Sequence, residues 1–137
     1  MPLQVNLCIP TQPLASLTVD YVQLPSVDGR MGVLVNHAPL RCILAPGVVM
    51  CRLPDDSIRV FSVSSGLAMI RKNVVTILAD AAESAENIDP VRAHAARDRA
   101  VARLGGVDQD RIDRARAEAA LQRAMARLEA VRLVGKH

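Results

Sequence analysis

The chain has 137 residues, which leaves room for one ordinary domain and an appendage and excludes a large multidomain enzyme. Half of the residues are hydrophobic, yet there is one Phe, one Tyr and no Trp, so the core must be aliphatic. A formal charge of +3 is too small for a protein that coats nucleic acid, and the longest apolar run, Ile43 to Cys51, is too short to span a membrane. We therefore expect no nucleic-acid partner and no direct membrane insertion.

Residues 1–83 are predicted to form a β domain. They hold seven of the eight prolines and most of the β-branched residues, which favour strands. Short apolar runs between turn signals are Leu3 to Ile9, Leu17 to Leu24, Gly32 to Val35, Gly47 to Leu53, Ser57 to Ser64, Leu67 to Ile70 and Val74 to Ala79. Because no segment long enough for a crossover helix separates these runs, they predict an antiparallel β-sandwich or flattened barrel.

The three cysteines are Cys8, Cys42 and Cys51. Their number is odd, no pair has CxxC spacing, and each sits inside an apolar run, which argues against a disulfide framework and against a zinc site. We interpret them as buried thiols in a reducing compartment, and we predict no bound metal.

Residues 84–137 are predicted to form an antiparallel hairpin of two helices. Alanine and arginine, two strong helix formers, dominate this part of the chain. The first helix should run from about residue 90 to 103 and the second from about 110 to 132, joined by a short polar link from Val107 to Asp110. The expected order is therefore an all-β domain followed by a helical hairpin.

The ends of the first predicted helix carry clear signals. Asp89 can accept hydrogen bonds from free backbone N–H groups as an N-cap, and Pro90 suits the first helical position. Gly105 and Gly106 should end the same helix. Asp89 therefore has a structural role that any functional interpretation must take into account.

The apolar faces of the two helices are rich in alanine. The first helix offers Ala93, Ala96 and Ala100, and the second carries alanine mixed with larger side chains at Ala117, Leu121, Ala124, Leu128 and Val131. Alanine buries little area, so at about 25 cal/mol per Å² the hairpin should hold itself only weakly. Its detachment should need little free energy.

Two arginine ladders with the same spacing run along the hairpin. They are Arg92, Arg99 and Arg103 in the first helix and Arg116, Arg123 and Arg127 in the second. The guanidinium groups could be solvated or paired with Asp98, Asp113 and Glu118. Alternatively, they could meet an acidic protein surface, for which the candidates are Arg99, Arg103, Arg116, Arg123 and Arg127, or a phosphate-bearing ligand held between the helices.

No enzyme motif is present. The sequence has no GxSxG, HExxH, P-loop or GxGxxG pattern. His37, which precedes Ala38-Pro39 in an apolar loop, is better interpreted as a packed or interface histidine than as a general base. We predict a protein without catalytic residues.

Four segments carry a resemblance to a known family. The first, Leu24 to Leu40, reads LPSVDGRMGVLVNHAPL. It resembles the "LP…G..GVL..HAPL" segment of the ε subunit of F-type ATP synthases. The other three follow in the family's order and are Ser64 to Leu67 with Val75 to Glu83, Ile88 to Ala93, and Arg116 to Leu128. The chain departs from the pattern at Ser65-Gly66-Leu67, where Gly-Gly-Phe is usual, and at Met69, where an acidic residue is common.

The resemblance implies a rotor component at the foot of the central stalk, coupling proton flow to ATP synthesis. The sandwich would bind the γ subunit and rest on the c-ring, with Gly29, Arg30, Met31, Gly32 and His37 as the c-ring contacts. The hairpin would lie folded on the sandwich or extend along γ toward the catalytic α and β subunits and inhibit ATP hydrolysis. Such a subunit is peripheral at the cytoplasmic face of a bacterial plasma membrane or, alternatively, at an organelle inner or thylakoid membrane.

The resemblance also implies a regulatory ATP site. The segment from Ile88 to Ala93 is similar to the ATP-binding signature of some bacterial ε subunits, in which arginines of the second helix complete the site. The matching positions are Ile88, Asp89, Arg92, Ala93, Arg123 and Arg127. No cofactor is required for such a subunit. The alternative to the rotor assignment is a freestanding adaptor, a small sandwich whose basic hairpin docks an acidic protein.

Overall fold

The first part of the chain forms ten strands in a computed structural model, which describes residues 2–106 and 110–135. The strands are β1 (Leu3–Ile9), β2 (Gln12–Val19), β3 (Tyr21–Ser26), β4 (Gly29–Val33), β5 (Leu40–Leu44), β6 (Gly47–Arg52), β7 (Ile58–Val63), β8 (Gly66–Arg71), β9 (Val74–Ala79) and β10 (Ala82–Ser84). A short 3₁₀ turn, Ala85–Asn87, connects them to the helices. The predicted link residues Val107 to Gln109, together with His137, lie outside the described residues.

The strands form one curled sheet that closes around an aliphatic interior as a half-barrel. Its order is β10-β7-β6-β3-β5-β8-β9-β1-β2, and β4 pairs with β3 beside this path. The predicted class, a β domain followed by a helical hairpin, is confirmed. One ladder differs from an antiparallel arrangement, because β1 and β9 run parallel. The chain passes through seven strands between them, so no crossover helix is needed to bring them side by side.

Three strands were not anticipated from the apolar runs. The run Leu17 to Leu24 divides at Asp20 into the end of β2 and most of β3. Strand β5 buries only its last residue, Leu44, so its pattern carries no alternation to detect. Strand β10 has three half-buried residues and forms because it pairs with β7. These strands depend on their neighbours, and local sequence does not reveal them.

The interior of the half-barrel is a single cluster of Leu, Val, Ile and Phe side chains. Its largest fully buried members include Phe61, Leu3, Leu7, Leu24 and Ile77. None of the residues in this cluster comes from the described helices. The β domain therefore has a core of its own.

The hairpin consists of α1 (Pro90–Leu104) and α2 (Arg111–Gly135). The predicted cap is confirmed, because the Asp89 carboxylate accepts hydrogen bonds from the backbone N–H groups of Val91 at 2.9 Å and Arg92 at 3.4 Å. Gly105 is the C-cap of α1, as expected. The helices extend one and three residues past the expected ends, and the expected division between residues 83 and 84 falls inside β10.

A second, smaller cluster joins the hairpin to the sheet. Its buried members are Val60, Ala85, Ile88, Ala93 and Ala130. Partly buried side chains from β6, β7 and the end of α2 surround them, among which are Val48, Met50, Ile58, Leu128 and Val131. The hairpin thus lies on the outside of β6 and β7, beyond the core of the half-barrel.

Candidate functional site

A cleft of about 470 Å³ lies where α1 and α2 meet the edge of the sheet. Strands β7 and β10 form its floor, and both helices form its walls. All six residues that the resemblance connects with ATP line it, namely Ile88, Asp89, Arg92, Ala93, Arg123 and Arg127. Residues from three separate stretches of sequence therefore meet around one space of the size that small molecules occupy.

The inner part of the cleft is mixed in character. Ile88 and Ala93 are buried and present apolar surface. Ser62 on β7 and Glu83 on β10 are direct partners in an antiparallel ladder, so their side chains share the face that looks toward the hairpin. The floor thus offers hydroxyl and carboxylate groups next to an apolar wall.

The helices supply four arginines to the same cleft, which are Arg92, Arg99, Arg123 and Arg127. Against these stand the carboxylates of Glu83 and Asp89, which leaves an excess of two positive charges on the lining. Arg127 Nε donates to Glu83 Oε1 at 2.6 Å and joins α2 to β10. Within residues 2–106 and 110–135, the other three arginines have no carboxylate within ion-pair distance. The cleft is therefore suited to an anion with several charges.

Two of the three acidic residues that could have neutralised the ladders are engaged elsewhere. Asp98 pairs with Arg97 at 3.1 Å, and Glu118 pairs with Arg114 at 3.5 Å. Neither partner belongs to a ladder. Intrahelical pairing of the ladders with Asp98 and Glu118, one of the options left open by the sequence, is thus not what the structure shows.

The five arginines considered for an acidic partner divide into two groups. Arg99, Arg123 and Arg127 line the cleft, whereas Arg103 and Arg116 are exposed and lie outside it. The folded hairpin therefore directs much of its positive charge toward the space above the sheet.

The five residues considered for the c-ring are spread along strand β4 and the loop after it. Gly29 starts β4 after a tight turn and has φ of 124°, while His37 follows the other end of the strand. At about 3.3 Å per residue, the two ends of β4 are about 13 Å apart. Gly32 lies directly against the Tyr21 ring, where a Cβ would be 2.6 Å from the Tyr21 hydroxyl oxygen. The five residues considered for the c-ring therefore do not form one cluster.

Of the neighbouring residues Arg30 and Met31, both considered for the c-ring, only Arg30 is largely exposed. The Met31 side chain packs against the core of the half-barrel. Arg30 is largely exposed, and its Nη2 lies 3.9 Å from Glu129 Oε1 on α2. The reason is strand alternation, since successive residues of β4 point to opposite faces of the sheet.

His37 is half-buried, and its Nδ1 lies 2.7 Å from the carbonyl oxygen of Ala38. The loop is also fastened at Asn36, which has φ of 66° and donates its backbone N–H to Asn73 Oδ1 at 2.7 Å. His37 therefore lies partly exposed in a loop whose backbone is held by Asn73.

The outer surface of four adjacent strands carries an apolar row that the sequence did not reveal. Ile43, Leu67, Leu78 and Cys8 are cross-strand neighbours on β5, β8, β9 and β1. Ile43 is 62% exposed and Leu78 is 44% exposed. We call these four residues the outer apolar row. Leu67 and Cys8 are half-buried, so the row is partly exposed. Exposed apolar surface that extends across several strands is typical of a surface that binds another protein.

Cys51 is buried, and Cys8 and Cys42 are half-buried. Burial raises the pKa of Cys51 to about 12, and the nearby positive charge of Arg59 offsets this only in part. Burial also raises the pKa of Cys42.

No group of three or more metal-ligating side chains occurs in the part of the chain that the structure describes. In the same part, neither helix combines the length and the apolarity needed to cross a bilayer.

Two lining residues, Ser62 and Glu83, had not been identified as site residues. Both reach the cleft because β10 pairs with β7, and β10 was itself unanticipated. Glu83 lies at the end of a segment that carries the family resemblance, which was the one available signal. Ser62 had none.

The fold and the cleft define a class of protein: a β half-barrel with its own core that carries a cationic two-helix hairpin. Residues 2–85 match the family described as ATP synthase, Delta/Epsilon chain, beta-sandwich domain. Residues 86–132 match its partner, described as ATP synthase, Delta/Epsilon chain, long alpha-helix domain. Together the two matches cover nearly all of the chain.

Comparison with individual proteins also shows similarity to chains of ATP synthases. The chain is 43% identical over 108 residues to the ATP synthase epsilon chain of Lawsonia intracellularis, covering 79% of this chain and 80% of that one. It is 40% identical over 107 residues to the ATP synthase epsilon chain of Bacillus subtilis, covering 78% and 80%. In fold, it resembles a chain of the mitochondrial ATP synthase of Euglena gracilis, with a TM-score of 0.82, 24% identity and coverage of 99% and 82%.

The chain belongs to the ATP synthase delta/epsilon chain family. The family predicted from the four segments is thereby confirmed. Membership also agrees with the prediction that this is a non-catalytic subunit.

Proposed function

We propose that this chain is the ε-type subunit of the central stalk of a proton-translocating ATP synthase. In that position the half-barrel binds the γ subunit and the c-ring and helps to couple proton flow to ATP synthesis. The hairpin regulates the complex by leaving the sheet, extending toward the catalytic subunits and inhibiting ATP hydrolysis. Arg99, Arg103, Arg116, Arg123 and Arg127 would then face acidic surfaces of those subunits.

The observation that carries this proposal is the separation of the two hydrophobic clusters. The core of the half-barrel contains no residue from α1 or α2 in the described chain, and the hairpin rests on the sheet through the smaller cluster around Val60 and Ile88. The hairpin can therefore leave without opening the core. A two-state element of this kind is what regulation by a moving hairpin requires.

The outer apolar row supports γ binding. It lies on β5, β8, β9 and β1, on the outward side of the half-barrel, and the hairpin does not cover it. An aliphatic row with polar neighbours at its margin has the composition of a protein interface. Met69, next to this row on β8, adds a flexible apolar side chain where relatives commonly have an acidic residue.

The c-ring contact is proposed for the β4 edge and its loop, with Gly29, Arg30, Gly32 and His37 at or near the surface. Leu34, which is 58% exposed, adds an apolar side chain beside them. As part of this assembly, the chain would be peripheral at the cytoplasmic face of a bacterial plasma membrane, or of an organelle inner or thylakoid membrane.

Removal of the hairpin tests the regulatory role. The complex is reconstituted with the full chain or with a chain truncated before Asp89, and ATP hydrolysis is measured. We expect faster hydrolysis with the truncated chain, while binding to γ is retained because the β core is self-contained. Unchanged hydrolysis would exclude the inhibitory role.

Copurification separates the rotor from the adaptor alternative. A stalk subunit should form a stable one-to-one complex with γ, and Leu78→Asp in the outer apolar row should weaken that complex at least tenfold by burying an unpaired charge. Thr18→Asp, a matched substitution on the exposed part of β2, should leave binding unchanged. Failure of the purified chain to bind γ would favour the adaptor.

We propose in addition that the cleft binds ATP as a regulator of the hairpin. Four arginines, three without a carboxylate partner in the described chain, surround a space that also has an apolar wall at Ile88 and Ala93. ATP combines a polyanion with an apolar ring system, so it fits both halves of this lining. Because the cleft is made by both helices and the sheet, a ligand in it stabilises the folded hairpin.

Calorimetry with paired arginine variants tests ATP binding. Arg123→Ala removes a guanidinium that lines the cleft, and Arg116→Ala removes one on the same helix that lies outside it. A charge-assisted hydrogen bond contributes roughly 1.5–3 kcal/mol, so Arg123→Ala should weaken ATP binding at least about tenfold. Arg116→Ala should bind ATP like the unsubstituted chain. Absence of binding at millimolar ATP would refute the site.

A further inference from the structure

Ser62 is the one polar residue that is buried in the described parts of the chain, with 5% of its surface exposed. It lies near the end of β7 and pairs with Val48 on β6 and Glu83 on β10. Both neighbouring strands hold its backbone in place. Its side chain therefore has a fixed direction.

That direction is toward the cleft. The flanking residues Phe61 and Val63 belong to the core of the half-barrel, so the alternation of β7 turns Ser62 to the opposite face. Val60, two residues away on this same face, packs under the hairpin. Ser62 is accordingly part of the cleft lining, at its buried end.

The Ser62 hydroxyl has no hydrogen-bond partner among residues 2–106 and 110–135. Its neighbour Ser64 also lines the cleft, but the Ser64 hydroxyl accepts a hydrogen bond from the backbone N–H of Ala81 at 3.0 Å. Buried hydroxyl groups in folded proteins nearly always have a partner. The Ser62 hydroxyl faces the cleft without a protein partner in the described chain, so it is available to hydrogen-bond to a group that enters the cleft.

The cleft has an exposed end that carries the arginines without a carboxylate partner in the described chain, and a buried end, where Glu83 beside Ser62 is already paired with Arg127. Arg92, Arg99 and Arg123 are exposed, whereas Ile88 and Ser62 are buried. A nucleotide whose phosphates contact the arginines must therefore direct its base toward the buried end. A hydroxyl group can donate to a ring nitrogen or accept from an exocyclic amino group, so it can bind either kind of atom on a base edge.

We propose that the Ser62 hydroxyl hydrogen-bonds to the base of the bound nucleotide and makes the cleft select a nucleotide over a bare polyphosphate. This inference rests on the proposed ATP site and adds a residue that distinguishes the base. The arginines attract any polyanion, and the Ser62 hydroxyl recognises the uncharged base of the nucleotide.

Calorimetric titrations with ATP and with inorganic triphosphate test the proposal, because the second ligand has the phosphates without the base. We expect Ser62→Ala to weaken ATP binding about tenfold and to leave triphosphate binding unchanged. Without ligand, Ser62→Ala should be at least as stable to heat as the unsubstituted chain, because no intramolecular hydrogen bond is lost.

Ser64→Ala is the matched control. It also removes a hydroxyl from the lining, but this hydroxyl already has a backbone partner, so ATP and triphosphate should keep their ratio of affinities. Equal affinities of Ser62→Ala and the unsubstituted chain for ATP would overturn the proposal, as would an equal loss in both variants or a lower melting temperature of ligand-free Ser62→Ala.

The Arg123→Ala variant separates ATP binding in the cleft from recognition of the base by Ser62. If Arg123→Ala weakens ATP binding and Ser62→Ala does not, the ATP site stands and the role of Ser62 is wrong. If the unsubstituted chain binds no ATP, both are wrong.

Discussion

The half-barrel and the hairpin bury different kinds of side chain. The core of the half-barrel is filled by large residues such as Phe61, Leu24 and Ile70. Every buried residue in the described parts of α1 and α2 is alanine, at positions 93, 100, 117, 124, 126 and 130. Since hydrophobic stabilisation increases with the apolar area buried, each helical position contributes much less than each core position. Stability is thus concentrated in the first part of the chain.

This difference suits a protein in which one part stays in place and the other moves. Alanine allows the two helices to approach closely, so the hairpin keeps its shape while its contact with the sheet remains small. Larger residues such as Leu128 and Val131 enter at the end of α2, where the hairpin meets β6 and β7. Substitutions in the two regions should therefore have separable effects.

The largest effect is expected from Gly66→Ala in the half-barrel. A Cβ at Gly66 would overlap the carbonyl oxygen of Leu78 and lie 2.8 Å from the Cα of Ala79, both backbone atoms of β9. Backbone of a central strand cannot move aside easily, so we expect a loss of about 3 kcal/mol in the free energy of unfolding. Urea denaturation measures it.

Gly105→Ala at the end of α1 is the control for this substitution. A Cβ there would lie 3.6 Å from the nearest atom, which is ordinary contact, and its φ of −82° is accessible to alanine. A change within about 0.5 kcal/mol is expected. If the two substitutions had similar effects, close packing of β8 on β9 would not be the cause.

Alkaline pH should also act on the half-barrel and not on the hairpin. Burial raises the pKa of Cys51 to about 12, whereas an unfolded thiol titrates near about 8.5. Between these values the unfolded chain releases a proton that the folded chain retains, so stability is complete below the lower pKa and falls as pH rises. The slope should reach about 1.4 kcal/mol per pH unit.

Cys51→Ala should remove this contribution to the slope. Urea unfolding of both proteins under reducing conditions, at intervals from pH 6 to 11, would show it. Below pH 8 the two curves should be parallel, and above pH 9 the unsubstituted chain should lose stability faster. Parallel curves throughout would mean that the Cys51 thiol is not the titrating group.

The sequence predicted those parts of the fold that depend on local signals. The cap at Asp89, the stop at Gly105 and the bounds of β9 all follow from residues within or next to the element. Strand β10 and the parallel pairing of β1 with β9 depend on residues distant in sequence, and nothing local specifies them. Pairing between distant strands is decided by the whole sheet.

The residues of the candidate site also fall into those that local sequence signals identified and those that depend on strand pairing. Its helical residues, such as Arg92 and Arg123, could be identified because they form repeating patterns and match a known signature. Ser62 and Glu83 could not be identified, because they become site residues only through the β7–β10 ladder. In β4, alternation turns the Met31 side chain toward the core, where it is partly buried, although Arg30 and Gly32 on either side are exposed.

Removal of the α1 cap should affect the hairpin alone. Asp89→Ala leaves the backbone N–H groups of Val91 and Arg92 without their acceptor, which costs about 1 kcal/mol. Amide hydrogen exchange should become faster in α1 and remain unchanged in β8 and β9. Asp89→Asn retains a capping oxygen and should behave like the unsubstituted chain. Faster exchange throughout the sheet would contradict the independence of the two regions.

The smallest effect is expected at the ion pair between the two regions. Glu83→Gln weakens the contact with Arg127, and because both side chains are more than one-third exposed the loss should be below about 1 kcal/mol. The exchange of α2 amides should become slightly faster at low salt, and the difference should shrink at high salt as screening weakens the pair. Arg30→Gln, at the longer and more exposed contact with Glu129, should change α2 exchange less than Glu83→Gln. A large loss of global stability in Glu83→Gln would show that the hairpin and the half-barrel unfold together. This result would contradict the independent unfolding that we expect from their separate hydrophobic clusters.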